Sequence, residues 1–163
     1  MLVVAACAPS GAPTTPDAPP AGGHEVAFDY GGATLYLTLA PFDLDSFETE
    51  PCEYDADQIC AIDGALYFGS ESLNATEIDS VLVAGALEVN GRRVPLDVSG
   101  MVNPTPRQDR IEVERVSPDL GIWEIHGRFG DGGAVYEGAW EVRSGRSRRL
   151  ALAHSTWFFR DEI

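Results

Sequence analysis

Lysine is absent from this chain of 163 residues, and the first basic side chain is Arg92. Residues 1–91 carry 15 carboxylates and no cation, whereas residues 92–163 carry 11 carboxylates against all 11 arginines. The formal charge of −15 therefore belongs to the N-terminal part. Such an excess argues against a nucleic-acid partner, because phosphate binding needs Lys and Arg gathered on one face. The lack of Lys fits either a GC-rich coding bias or adaptation to salt, and both concern solubility rather than fold. Long apolar runs are missing too: no stretch nears the roughly 18 residues of a membrane-spanning helix. Nucleophile elbows, glycine-rich phosphate loops and zinc-protease motifs are likewise missing, so no cofactor is expected.

What is present is period-2 alternation, the mark of half-buried strands. Val26, Phe28 and Tyr30 alternate with polar or small neighbours, Gly31-Gly32 permits a reversal, and Leu35, Leu37 and Leu39 resume the pattern. Val81, Val83, Gly85, Leu87 and Val89 form one face of a long strand. Asn90-Gly91 then supplies a strong hairpin turn, with Arg92, Val94, Leu96 and Val98 on the return. Pro95 in that return places it at an edge or a bulge. Segments 109–117, 121–129, 133–142 and 148–159 are strand-like and are separated by turn residues. Trp123, Ile125 and Phe129 share a face, as do Tyr136, Trp140 and Val142, and as do Leu150, Leu152 and Phe158. Residues 73–80 form at most a short turn, while residues 40–64 and 99–108 read as irregular connections. The expected domain, residues 24–163, is all-β: an antiparallel β-barrel or β-sandwich of about 8–9 strands with a disulfide-clamped acidic loop.

The N-terminus reads Met1-Leu2-Val3-Val4-Ala5-Ala6-Cys7. Val4-Ala5-Ala6-Cys7 resembles the lipobox of bacterial lipoproteins, in which the signal peptide is cut before a cysteine that then carries lipid. The resemblance implies lipid attachment at Cys7, anchoring to a membrane of the cell envelope and a periplasm-facing or surface location. Ala8 stands where some lipoproteins carry an inner-membrane retention Asp, which favours the outer membrane and leaves the inner membrane as the alternative. Six residues are fewer than a full signal requires, so residues 1–6 are expected to be the remnant of one that starts upstream. Residues 8–23, APSGAPTTPDAPPAGG, have no large apolar side chain and cannot offset their ordering entropy. With Cys7 they read as a lipidated Pro/Ala/Gly-rich linker, residues 7–23, an extended spacer of about 50 Å. Residues 127–140, GRFGDGGAVYEGAW, resemble a glycine-and-aromatic hairpin of the barrel in transferrin-binding-protein-like surface lipoproteins, without the proline usual in its turn.

Setting Cys7 aside for lipid leaves Cys52 and Cys60 as a disulfide pair closing a nine-residue loop. The chain-entropy relation gives such a bond about 2.6 kcal/mol. Disulfides persist at cell surfaces and in the periplasm. The spacing does not suit a zinc knuckle, and no His lies nearby, so no metal is expected there. The segment 43–63 holds eight carboxylates and no cation. Asp43, Asp45, Asp55 and Asp57 are the leading ligands if that loop binds calcium, although it lacks the EF-hand glycine; otherwise it is a solvated acidic loop.

Three histidines are available for catalysis. His24 sits beside the linker, His126 falls on the polar face of its strand, and His154 falls in phase with Leu150 and Leu152 and so lines an interior. Ser155 points away from His154 in a regular strand, which spoils a dyad between them. Trp123, Trp140, Trp157, Phe158 and Phe159 either line a cavity for a small apolar ligand or fill the core. Arg143, Arg146, Arg148 and Arg149 crowd one hairpin tip, where they meet lipid headgroups or an anionic envelope polymer, pair with the acidic loop, or stay solvated. The expected function is a membrane-anchored envelope lipoprotein whose non-catalytic β domain binds a small apolar ligand or an envelope protein. The alternative is a small periplasmic enzyme or enzyme inhibitor using His126, His154 or the clamped loop.

Overall fold

Alternation becomes strand almost wherever it occurs. The computed structural model describes residues 22–71 and 74–154, so Cys7, Ser155, Trp157, Phe158 and Phe159 lie outside the described residues. The strands are β1 (His24–Asp29), β2 (Ala33–Pro41), β3 (Thr49–Cys52), β4 (Asp55–Ile62), β5 (Ala65–Leu66), β6 (Ser80–Val89), β7 (Arg92–Leu96), β8 (Ile111–Ser117), β9 (Ile122–Phe129), β10 (Tyr136–Arg143) and β11 (Arg146–His154). They pair antiparallel in three sheets, ordered β1-β2-β6-β7, β11-β10-β9-β8 and β3-β4-β5. Turn chemistry sets the registers. Gly31 and Gly32 have φ of 67° and 130°, and Asn90 and Gly91 have 51° and 75°, the left-handed pair that closes a two-residue hairpin.

The two four-stranded sheets face each other across one core. Leu35, Leu37 and Leu87 meet Ile125, Phe129, Tyr136 and Trp140, each no more than 1% exposed. Burying a side chain of this size is worth about 1.5–3 kcal/mol. The barrel alternative gives way to a sandwich, since no ladder joins β7 to β11 or β1 to β8 among the described residues. Side chains bind those seams instead. Ser147 Oγ donates to the Pro95 carbonyl, and Arg149 donates to the Ser99 carbonyl at 2.7 Å. Opposite, Gln108 Nε2 donates to the Asp29 carbonyl at 3.0 Å. Pro95 lies on the edge strand β7, where a missing N–H interrupts no ladder.

Three expectations need correction. Residues 40–64 are not an irregular connection but largely the strands β3 and β4, followed by β5 at Ala65–Leu66. This raises the count to eleven among the described residues, beyond the 8–9 expected. Their reason is a second core, where Ala40, Ile62, Tyr67, Ile78, Val81 and Val102 pack. Second, Val81, Val83 and Leu87 do not share one face. The β2–β6 register slips between Thr38 and Leu39, leaving Val83 unpaired; Leu82 then enters the main core and Val81 the second. Third, the β10–β11 register slips at Leu150, turning it out to 43% exposure while Leu152 packs inward.

The glycine-aromatic pattern of residues 127–140 has a packing cause. Gly127 and Gly138 stand directly opposite on β9 and β10. The Phe129 ring lies over Gly127 and the Trp140 ring over Gly138, and a Cβ at either glycine would sit 2.6 Å or 2.5 Å from ring carbon. Both rings thereby reach the core, with Phe129 stacked on Tyr136 at 5.7 Å between centroids.

Candidate functional site

Four hairpin turns meet at one end of the sandwich: β1–β2, β6–β7, β8–β9 and β10–β11. Between them lies a cavity of about 570 Å³, within the range of small-molecule sites. Val94, Val142 and the Trp123 ring lie beneath it almost fully buried, and its open lining is mixed, more polar than apolar. At its rim stand Arg92, the first residue of β7, and Arg115, near the end of β8. Arg92 falls in phase with Val94 and Leu96 on β7, whereas Arg115 lies where the β8–β9 register slips between Glu114 and Ser117; both side chains are exposed.

The rim is held by backbone. Arg115 Nη2 donates to the Pro118 carbonyl at 2.8 Å. The Arg92 guanidinium lies against Gly145, where a Cβ would come within 2.6 Å of Cζ. Gly145 also has φ of 74°, so that turn favours glycine for its conformation. Tyr30, on the cavity wall, has a hydroxyl without a hydrogen-bond partner among the described residues. Burial pushes its pKa up to about 12, so the phenol keeps its proton at neutral pH.

Cys52 and Cys60 form the expected disulfide, with Cα atoms 4.9 Å apart, at the opposite end of the sandwich. The carboxylates around it serve local structure. Asp43 accepts from Asp45 N at 3.2 Å and Ser46 Oγ at 3.0 Å, and Asp55 accepts from Asp57 N at 3.0 Å. No three His, Cys, Asp or Glu side chains gather to hold a metal among the described residues, so Asp43, Asp45, Asp55 and Asp57 are not brought together.

The histidines stand apart as well. His24 is exposed at the start of β1. His126 is exposed and lies 3.2 Å from Glu124. His154 does not line the interior; it is exposed at the end of β11, edge-on to the Phe68 ring at 5.4 Å. Of the tryptophans, Trp123 faces the cavity, whereas Trp140 fills the core and donates from Nε1 to the Asp97 carbonyl at 2.7 Å. The four crowded arginines divide. Arg148 pairs with Glu141 at 3.7 Å and Arg149 with Asp97 at 3.4 Å. Arg143 and Arg146 face each other across the β10–β11 ladder with no carboxylate partner among the described residues.

Sequence reasoning missed Arg92, Arg115 and Tyr30 as cavity residues. The available signal was Arg92 in phase with buried positions on its strand. The chain matches no family model, and neither a curated protein nor a solved structure matches it.

Proposed function

We propose that this chain is a lipid-anchored protein of the cell envelope whose β domain is a non-catalytic binding module, holding a small ligand in the hairpin-end cavity. The observation that carries this is the cavity's position. His24 pairs with Leu39 near one end of β2, and the Gly31-Gly32 turn at the other end lines the cavity. Nine residues of β2 at about 3.3 Å each separate the two ends by about 30 Å. A domain tethered through residues 7–23 thus holds its opening away from the anchor. The Cys52–Cys60 bond suits the oxidising compartment that export implies. A concave site that sets guanidinium and backbone groups beside apolar side chains suits binding of a small polar molecule.

Intact mass of the protein extracted from its native membrane, with and without reduction, tests the anchor. Cleavage before Cys7, an acyl adduct, and a gain of two hydrogens on reduction are expected. A full-length, unmodified chain with three free thiols contradicts the proposal.

A further inference from the structure

The geometry points to an anionic amphiphile as the cavity's ligand: a molecule with one carboxylate, sulfonate or phosphate head on a ring or short aliphatic body. This rests on the binding role proposed above and names the ligand class for the same site. The cavity is lined by two arginines and no carboxylate, on a chain whose formal charge is −15. Four other arginines lie within 4.0 Å of a carboxylate, namely Arg93, Arg107, Arg148 and Arg149. Among the described residues Arg92 and Arg115 do not, and neither do Arg110, Arg128, Arg143 and Arg146. Arg92 and Arg115 come from different sheets, so a head group between them meets donors from two sides.

The remaining features fit the same ligand. Gly145 leaves room for the Arg92 guanidinium, and the Pro118 carbonyl occupies only one arm of Arg115, leaving further N–H donors. Guanidinium donors bind carboxylate or phosphate oxygens through charge-assisted bonds about twice as strong as neutral ones. Beside these donors, Val89, Val113 and the exposed Leu120, with the edge of the Trp123 ring, offer apolar surface for the ligand body. Arg143 and Arg146, opposite one another beside the same turn, add positive potential. Like charges so placed cost stability, and no carboxylate pairs with either among the described residues. The acidic segment 43–63 follows the other end of β2, away from the cavity.

A rival explanation makes the two arginines end caps, their stems covering Trp123 and their heads in water. It predicts no preference for anions. Two fluorescent probes of one shape separate the cases: 8-anilinonaphthalene-1-sulfonate, and its uncharged parent N-phenyl-1-naphthylamine. The sulfonate is expected to bind at one saturable site, about tenfold more tightly than the parent, and to weaken as salt rises. Arg92→Gln and Arg115→Gln should each weaken the sulfonate about five- to tenfold and leave the parent unchanged, with circular dichroism unaltered. Should a variant misfold, the salt dependence of the wild-type protein decides. Equal affinity for both probes, insensitive to salt, overturns the anionic assignment while the binding role stands. Tighter sulfonate binding that ignores both substitutions places the site elsewhere and also overturns it. If neither probe binds, the binding role falls with it.

Discussion

Adding one methyl group at Gly138 tests the packing that shapes the cavity-bearing sheet. An alanine Cβ would lie 2.5 Å from Trp140 Cη2 and 3.0 Å from Cζ3, both on a rigid ring that is 1% exposed. The ring cannot yield freely, because its Nε1 donates to Asp97 O at 2.7 Å and Phe129 meets it edge-on at 6.2 Å between centroids. Overpacking of this kind costs about 1–3 kcal/mol. Loss of the indole hydrogen bond adds about 1 kcal/mol, and alanine's strand advantage over glycine returns about 0.5–1 kcal/mol. Gly138→Ala should therefore destabilise by about 1–3.5 kcal/mol, read from urea midpoints at constant slope. Trp140→Leu should also destabilise, but Gly138→Ala added to it should be neutral or slightly stabilising. The two effects then couple by about 1–3.5 kcal/mol. A cost below about 0.5 kcal/mol for Gly138→Ala alone, or simple additivity, refutes the reasoning.

Other parts of the molecule make equally direct predictions. Replacing Cys52 and Cys60 by serine should lower stability by up to about 2.6 kcal/mol and raise amide exchange first in β3 and β4; uniform exchange across all sheets would contradict that placement. Asn103 holds φ of 42°, accepts from Asp79 N at 2.8 Å and Ser80 N at 3.2 Å, and donates to Gly69 O at 3.1 Å and Glu77 O at 2.9 Å. Asn103→Ala should cost about 3 kcal/mol in thermal or urea unfolding, and a loss under 1 kcal/mol would show those bonds to be redundant. Burial works to raise the Asp97 pKa, but hydrogen bonds from Ser99 and the nearby Arg149 charge outweigh it, and the group ends below its ordinary 3.8. Its contribution is present above that ordinary value and fades as pH falls through the lower folded one. Asp97→Asn should therefore reduce acid sensitivity below about pH 4, measured as the slope of stability against pH.

Alternation and turn chemistry made most of the strands legible, because a half-buried strand must alternate and a two-residue hairpin must place φ above zero. Val26, Phe28, Leu35 and Leu37 lie inward as expected, and Asn90-Gly91 turns where it should. What escaped were the slips at Val83 and Leu150. One extra residue exchanges faces without any change in composition, so the sequence carries no local mark of it. The strands β3 and β4 escaped because their residues are mostly polar and their pairing depends on a cystine and on a second core assembled from distant segments. The cavity was half visible. Trp123 stood out as a large ring, but Arg92 and Arg115 looked like ordinary surface charges until four turns closed around them.

The proposed ligand site lies between the four hairpin turns. Nitrogen-edited spectra of the labelled protein, titrated with 8-anilinonaphthalene-1-sulfonate, locate it residue by residue. Saturable shifts of the Trp123 indole N–H and of the Gly121 and Gly145 amides are expected, with the Trp140 indole unmoved. Shifts confined to the exposed edge around Leu66 and Leu150, or none near the turns at saturation, would contradict it.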